Sequence, residues 1–177
     1  MIALCLTSCG GPTAGEVSEE IQAHWSTVDS LSLTAELTAD YGDRLYPFTL
    51  RYEGSADSGT ITILAPESVS GVTAHVSDGG ATLSYDGAQV YTGALTQEGL
   101  SPMDAIPAIL TAWHQSFVTE AVYETLDGTQ CCTLLYRITD EVSLRTWFDA
   151  ETYIPLEAEI ISGGFTVIHC RFSDITA

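Results

Sequence analysis

The sequence predicts a mainly β fold in which a strongly curved antiparallel sheet of about ten strands wraps over two helical segments. Three observations predict it. Apolar residues alternate with polar ones through most of the chain beyond residue 30, a helical period appears only near residues 16–28 and 101–113, and turn pairs such as Asp86-Gly87 and Gly163-Gly164 punctuate the strands. With 177 residues, 45% apolar and 16% charged, the chain suffices for one core and is too short to expect two.

The first helix is read from Val17, Ile21, Trp25 and Val28, which recur at steps of four and three over residues 16–28. Glu16, Glu19 and Glu20 stand near its start, where the helix dipole favours negative charge. The period then changes to two. In residues 31–40, LSLTAELTAD, every odd position is apolar and every even one polar, as a strand with one dry and one wet face requires.

Further strands are expected at 44–53, 59–65, 71–77, 81–85 and 88–93, with Asp86-Gly87 as a tight hairpin between the last two. Pro47 places the second strand at an edge or on a bulge, because proline cannot donate to a ladder. At Ser101-Pro102-Met103-Asp104 a Ser cap, a first-turn Pro and an acid three residues after the cap agree on a helix start. Met103, Ile106, Ile109, Leu110 and Trp113 give its apolar stripe, and Pro107 is expected to kink or split it. Strands resume at 117–125, 131–139, 142–149, 156–161 and 165–172, with turns at Thr139-Asp140-Glu141 and Gly163-Gly164.

Charge excludes several functions. Twenty-four acidic residues face five arginines and no lysine, for a formal charge of −19. So negative a surface repels nucleic acid and anionic headgroups, and serves solubility. Without lysine there is neither a P-loop nor a Schiff base. No later segment offers the roughly 20 apolar residues that a membrane span needs.

Nothing marks a catalytic centre or a cofactor site. His24, His75, His114 and His169 are scattered without ligand spacing and no cysteine completes a zinc pattern, so no metal is expected. No G-x-S-x-G elbow or S-x-x-K pair occurs. Glu19-Glu20 and Asp140-Glu141 fall in a helix start and a turn, solvated places unlike a glycosidase pair. His169 reads as a polar outer-face residue. The chain is expected to be no enzyme.

Five cysteines are present: Cys5, Cys9, Cys131, Cys132 and Cys170. Cys131 and Cys132, adjacent in one strand, point to opposite faces, so only one faces the interior. In a simple meander two strands separate them from Cys170, at about 4.8 Å per step, too far for a disulfide. Small buried side chains or free thiols are the favoured reading.

Cys9 differs in kind. Leu6-Thr7-Ser8-Cys9-Gly10 fits the bacterial lipobox, and Ile2-Ala3-Leu4-Cys5-Leu6 reads as the end of an apolar leader. The expected organisation is a leader remnant over 1–9 ending in a lipidated Cys9, a Gly/Pro-rich flexible tether over 10–15 and one domain over 16–177.

The chain resembles the LolA/LolB-like lipoprotein carriers and their single-membrane bacterial relatives, including the germination lipoprotein type. The resemblance rests on a helix followed by a strand meander, on ITILAPE at 61–67 running into GVTAHV at 71–76, on LSYDG at 83–87, on the Ser101-Pro102 helix and on WFDAETYIPL at 147–156. It covers most of residues 16–177. It implies a half-open barrel of about ten strands, with an N-terminal helix and a mid-chain helical segment plugging the concave side over an apolar cavity for acyl chains. The alternation independently singles out Leu31, Leu33, Leu37, Phe48, Leu50, Ile61, Ile63, Trp113, Ile168 and Phe172, a set that fits a packed core as well as a cavity lining.

Unlike the soluble carriers of the family it resembles, this chain is expected to carry its own anchor. The expectation is therefore an extracytoplasmic lipoprotein, held to the cytoplasmic membrane through Cys9, that binds a lipid or acyl chain between sheet and helices. The alternative is a regulatory or structural domain with a packed core, docking an envelope protein.

Overall fold

The computed structural model describes residues 11–77, 80–93 and 98–177. Its elements are α1 (Ala14–Trp25), β1 (Leu31–Asp40), β2 (Leu45–Gly54), β3 (Gly59–Ala65), a 3-10 turn (Glu67–Val69), β4 (Thr73–Ser77), β5 (Gly80–Tyr85), β6 (Ala88–Gly93), α2 (Pro102–Gln115), β7 (Val118–Leu126), β8 (Thr129–Arg137), β9 (Val142–Asp149), β10 (Pro155–Ser162) and β11 (Phe165–Thr176). All eleven strands form one antiparallel sheet in the order β6-β5-β4-β3-β2-β1-β11-β10-β9-β8-β7.

That order is two meanders joined at their centre, where the first and last strands pair with Ala35 opposite Phe172 and Leu37 opposite Cys170. The outermost strands, β6 and β7, follow one another along the chain, and among the described residues α2 is the element between them. A helix that carries the chain from one edge to the other must cross one face of the sheet. It buries Ala105, Ile106, Ile109, Leu110, Ala112 and Trp113 in doing so. On the same side α1 packs on β7, β8 and α2.

The alternating pattern of β1 emerges as read, with Leu31, Leu33, Ala35, Leu37 and Ala39 buried in one contiguous core. Asp86-Gly87 has φ of 48° and 79° and Gly163-Gly164 has 58° and 83°, the double positive φ of the tight hairpin turn whose twist suits antiparallel strands. Asp127-Gly128, with 48° and 88°, makes a third such turn.

Several boundaries differ from the sequence reading. Each of the eleven strand segments read from the sequence has its counterpart among β1–β11. The first helix starts at Ala14, within the stretch expected to be tether, because Thr13 and Glu16 form a capping box: the Thr13 N–H donates to Glu16 Oε2 at 2.7 Å and the Glu16 N–H to Thr13 Oγ1 at 3.3 Å. It ends at Trp25, so Val28 packs on the core from the following turn. The second helix is a single element containing Pro107, neither split nor ended there. Ser101, whose hydroxyl accepts from the Asp104 N–H, and Pro102 fix its first turn, and burial of its apolar stripe outweighs the one backbone bond that proline omits. Strand β2 is interior, yet β3 meets it only from Gly54 back to Thr49. Pro47 lies beyond that pairing, where β2 is an edge locally.

Candidate functional site

The inner face is organised around Trp113. Its ring centroid lies 4.9 Å from that of Trp25 and 5.5 Å from those of Phe148 and Phe172, in tilted or edge-on arrangements that the ring quadrupoles favour. The Trp113 indole N–H donates to Thr146 Oγ1 at 3.0 Å, and the Trp25 indole N–H to the Tyr153 carbonyl at 2.9 Å. Both polar edges are thus satisfied within an apolar setting.

The ten apolar residues singled out from the sequence converge here. Leu31, Leu33 and Leu37 on β1, Leu50 on β2, Ile61 and Ile63 on β3, Trp113 on α2, and Ile168 and Phe172 on β11 are all buried in the contiguous core, and Phe48 is half-buried against it. The space remaining between Trp25, Leu31, Leu110 and Trp113 is about 10 Å³. That is roughly one water-sized sphere, against about 300–1,000 Å³ for a small-molecule pocket.

A larger opening lies where β3 leaves β2. Residues 45–48 of β2 pair with β1 alone, while the chain beyond Ala65 turns through Pro66 into the 3-10 turn. The resulting cleft is about 280 Å³, with Leu37, Pro47, Phe48, Ala65 and Pro66 as apolar walls and Glu36, Thr38 and Thr49 as polar ones. Leu37 and Phe48 are cross-strand partners. Of this lining, Pro47, Ala65 and Pro66 were not marked by sequence alternation; the one signal was that a proline inside a strand leaves a free edge.

The outer face of β7–β11 carries charge. Glu157, only 7% exposed, accepts from Arg171 Nε at 2.8 Å and lies 3.1 Å from His169 Nε2, while Arg171 also reaches Asp127 at 3.3 Å. Glu157 is the main reason the Arg171 guanidinium is held even more firmly protonated than usual. Arg145 stands 3.9 Å from Glu159 and 5.7 Å from the Trp147 ring centroid. The Trp147 indole N–H donates to Glu124 at 2.6 Å, and Thr133 to the same oxygen at 2.8 Å. None of the five arginines is buried, so none serves the inner face.

Cys131, Cys132 and Cys170 are free. Two strands, β9 and β10, do separate Cys170 from the other pair. Cys131 and Cys132 point oppositely, yet both are buried. Cys132 lies under α1, its thiol donating to the Ala14 carbonyl at 3.5 Å, whereas Cys131 is enclosed on the far face, where Asp149, Glu124 and Glu157 add negative charge. Burial pushes the Cys132 thiol up to about 11 and raises Cys131 and Cys170 as well, so all three stay protonated at neutral pH and are poor nucleophiles. His169 faces outward beside inward-facing Cys170. Among the described residues no three His, Cys, Asp or Glu side chains converge in a way that could hold a metal ion, and no helix is long and apolar enough to cross a membrane. Cys9 lies outside the described residues.

The sequence matches no protein-family model and no curated protein. Solved structures match its fold. A LolA superfamily protein from Nitrosomonas europaea superposes with a TM-score of 0.53 at 12% identity, covering 94% of each chain. A chain from the complex of the CwlD amidase with the GerS lipoprotein of Clostridioides difficile gives 0.50 at 15% identity, covering 97% of this chain and 99% of that one. One from the MucA/MucB complex of Pseudomonas aeruginosa gives 0.50 at 11%, covering 90% of this chain and 56% of that one. The fold is LolA-like: an open antiparallel sheet with two helices on its inner side.

Proposed function

We propose that this chain is a lipoprotein of the bacterial cell envelope, fixed to the outer face of the cytoplasmic membrane through an acylated Cys9, whose LolA-like domain is a non-catalytic docking module for an envelope protein. One observation carries the reading: the helices occupy the inner face, leaving about 10 Å³ beside Trp113. A domain filled in this way presents its edges and outer surface instead. The two fold neighbours that come from two-protein complexes, CwlD with GerS and MucA with MucB, support it. The test is lipid extraction and mass spectrometry on the protein purified without its anchor. The expected result is no acyl ligand at stoichiometric amount; a bound lipid in one-to-one ratio overturns the reading.

The cleft over Leu37 and Phe48 favours a second reading, a hydrophobic ligand held at the β2–β3 divergence. At about 280 Å³ it is close to the smallest ligand pockets. Under this reading Phe48→Asp abolishes lipid recovery, whereas under the first it leaves partner binding intact.

A further inference from the structure

We infer that the domain sits directly on the bilayer in a fixed stance, with the start of α1 and the neighbouring β7 edge against the lipid headgroups; this rests on acylation of Cys9 as proposed above. The chain becomes tied down early. The Pro12 carbonyl accepts from the Tyr123 hydroxyl of β7 at 3.0 Å, Thr13 caps α1, and the Ala14 carbonyl accepts from the Cys132 thiol of β8 at 3.5 Å. Three consecutive residues are therefore bonded to the domain.

Between the acylated cysteine and that point stand only Gly10 and Gly11. Three peptide units span at most about 10 Å even when fully extended. A domain on so short a leash cannot swing freely, because the acyl chains hold Cys9 at the headgroup level. The surface beside Pro12 must meet the bilayer. It is the shallow trough lined by Gly11, Pro12, Glu16, Glu19, Glu20 and Ala23. Its carboxylates gain nothing from an anionic leaflet, so covalent reach and not charge sets the stance. A soluble partner is then left with the outer face and the β6 edge, which stands at the opposite end of the strand order from β7.

The experiment uses the full chain made in a bacterium that acylates lipoproteins, with mass spectrometry of the N-terminal peptide reporting the lipid on Cys9. Donor dyes are placed at Ala23→Cys, in the trough, and at Asp86→Cys, in the β5–β6 turn. The proteins are reconstituted into phosphatidylcholine vesicles bearing a headgroup acceptor dye. Transfer from position 23 should exceed that from position 86. Inserting about 20 Gly/Ser residues after Gly10, which raises the mean reach to about 25 Å, should abolish the difference. Equal transfer from the two positions before insertion, or a difference that survives it, overturns the stance. An unmodified Cys9 overturns the anchored reading instead; coupling that thiol to a maleimide lipid then reports the stance separately, with the same pair of outcomes.

Discussion

The two faces of the sheet solve opposite problems. On the inner face α1 packs on β7 and β8 and α2 on β1, and the side chains meet one another, as Trp113 meets Trp25, Phe148 of β9 and Phe172 of β11. The outer face of β8–β11 holds its side chains by ion pairs and indole hydrogen bonds, with Glu157 drawn in between Arg171 and His169. Apolar area removed from water stabilises the first; the second gains only what paired charges keep after desolvation. The inner face should therefore dominate stability and the outer face should tolerate change, which is what a docking surface requires.

The largest effect expected is from Trp113→Ala. It deletes the centre of the aromatic cluster and leaves the buried Thr146 hydroxyl without its donor, at a cost of about 3–5 kcal/mol in denaturant unfolding. A loss nearer 1 kcal/mol would mean an inner face that is loosely filled, and would move the balance toward the hydrophobic-ligand reading.

Much of this contrast was legible in the sequence because alternation is local. Leu31, Leu33 and Leu37 announce a dry face, Asp86-Gly87 a hairpin, and Ser101-Pro102 with Asp104 a helix start, each through a few neighbouring residues. The same patterns cannot tell a cavity from a core, since that depends on whether α1 and α2 reach the sheet, a property of side chains far apart in sequence. Nor did the pattern mark the cleft. Pro47 and Pro66 are adjacent there only because β3 stops short of the full length of β2. Burial of Cys131 on the outer side was equally hidden: alternation assigns it a face, whereas enclosure comes from β7 and β9 neighbours.

The next effect tests the inner face by pH. Burial raises the Cys132 thiol to about 11, so the folded state favours the neutral form and the unfolded state ionises first. The contribution of this group is complete below about pH 8.5, the ordinary thiol value, and is lost as pH rises from there to about 11. Cys132→Ala should make the alkaline decline of unfolding free energy shallower, leaving the share of the other buried thiols, Cys131 and Cys170, in place. In native protein spanning residues 10–177, Cys131, Cys132 and Cys170 should also stay unreactive toward an aromatic disulfide reagent until it unfolds; rapid reaction at neutral pH would contradict their burial.

On the outer face Glu157→Gln is the stronger change. It removes the charge that Arg171 pairs with and His169 hydrogen-bonds, at a cost of about 1–2 kcal/mol, since Glu157 is nearly enclosed while both partners remain open to water. Circular dichroism melts at low and high salt separate this ion-pair contribution from packing, because only the former is screened.

Arg145→Ala is the smallest effect and the most telling for the comparison. The guanidinium is 3.9 Å from Glu159 and over the Trp147 ring, and it is partly exposed, so its removal should cost no more than about 1 kcal/mol of stability. If the outer face only keeps the sheet soluble, the substitution changes nothing else. If it receives the partner, as proposed above, loss of a cation stacked on an indole weakens association far more than folding, because docking desolvates the pair that the free protein leaves in water. Titrating Arg145→Ala against an identified envelope partner, beside a thermal melt of the free domain, separates the two: a fall in affinity with an unchanged melting temperature places the interaction on this face, and parallel losses in both remove it.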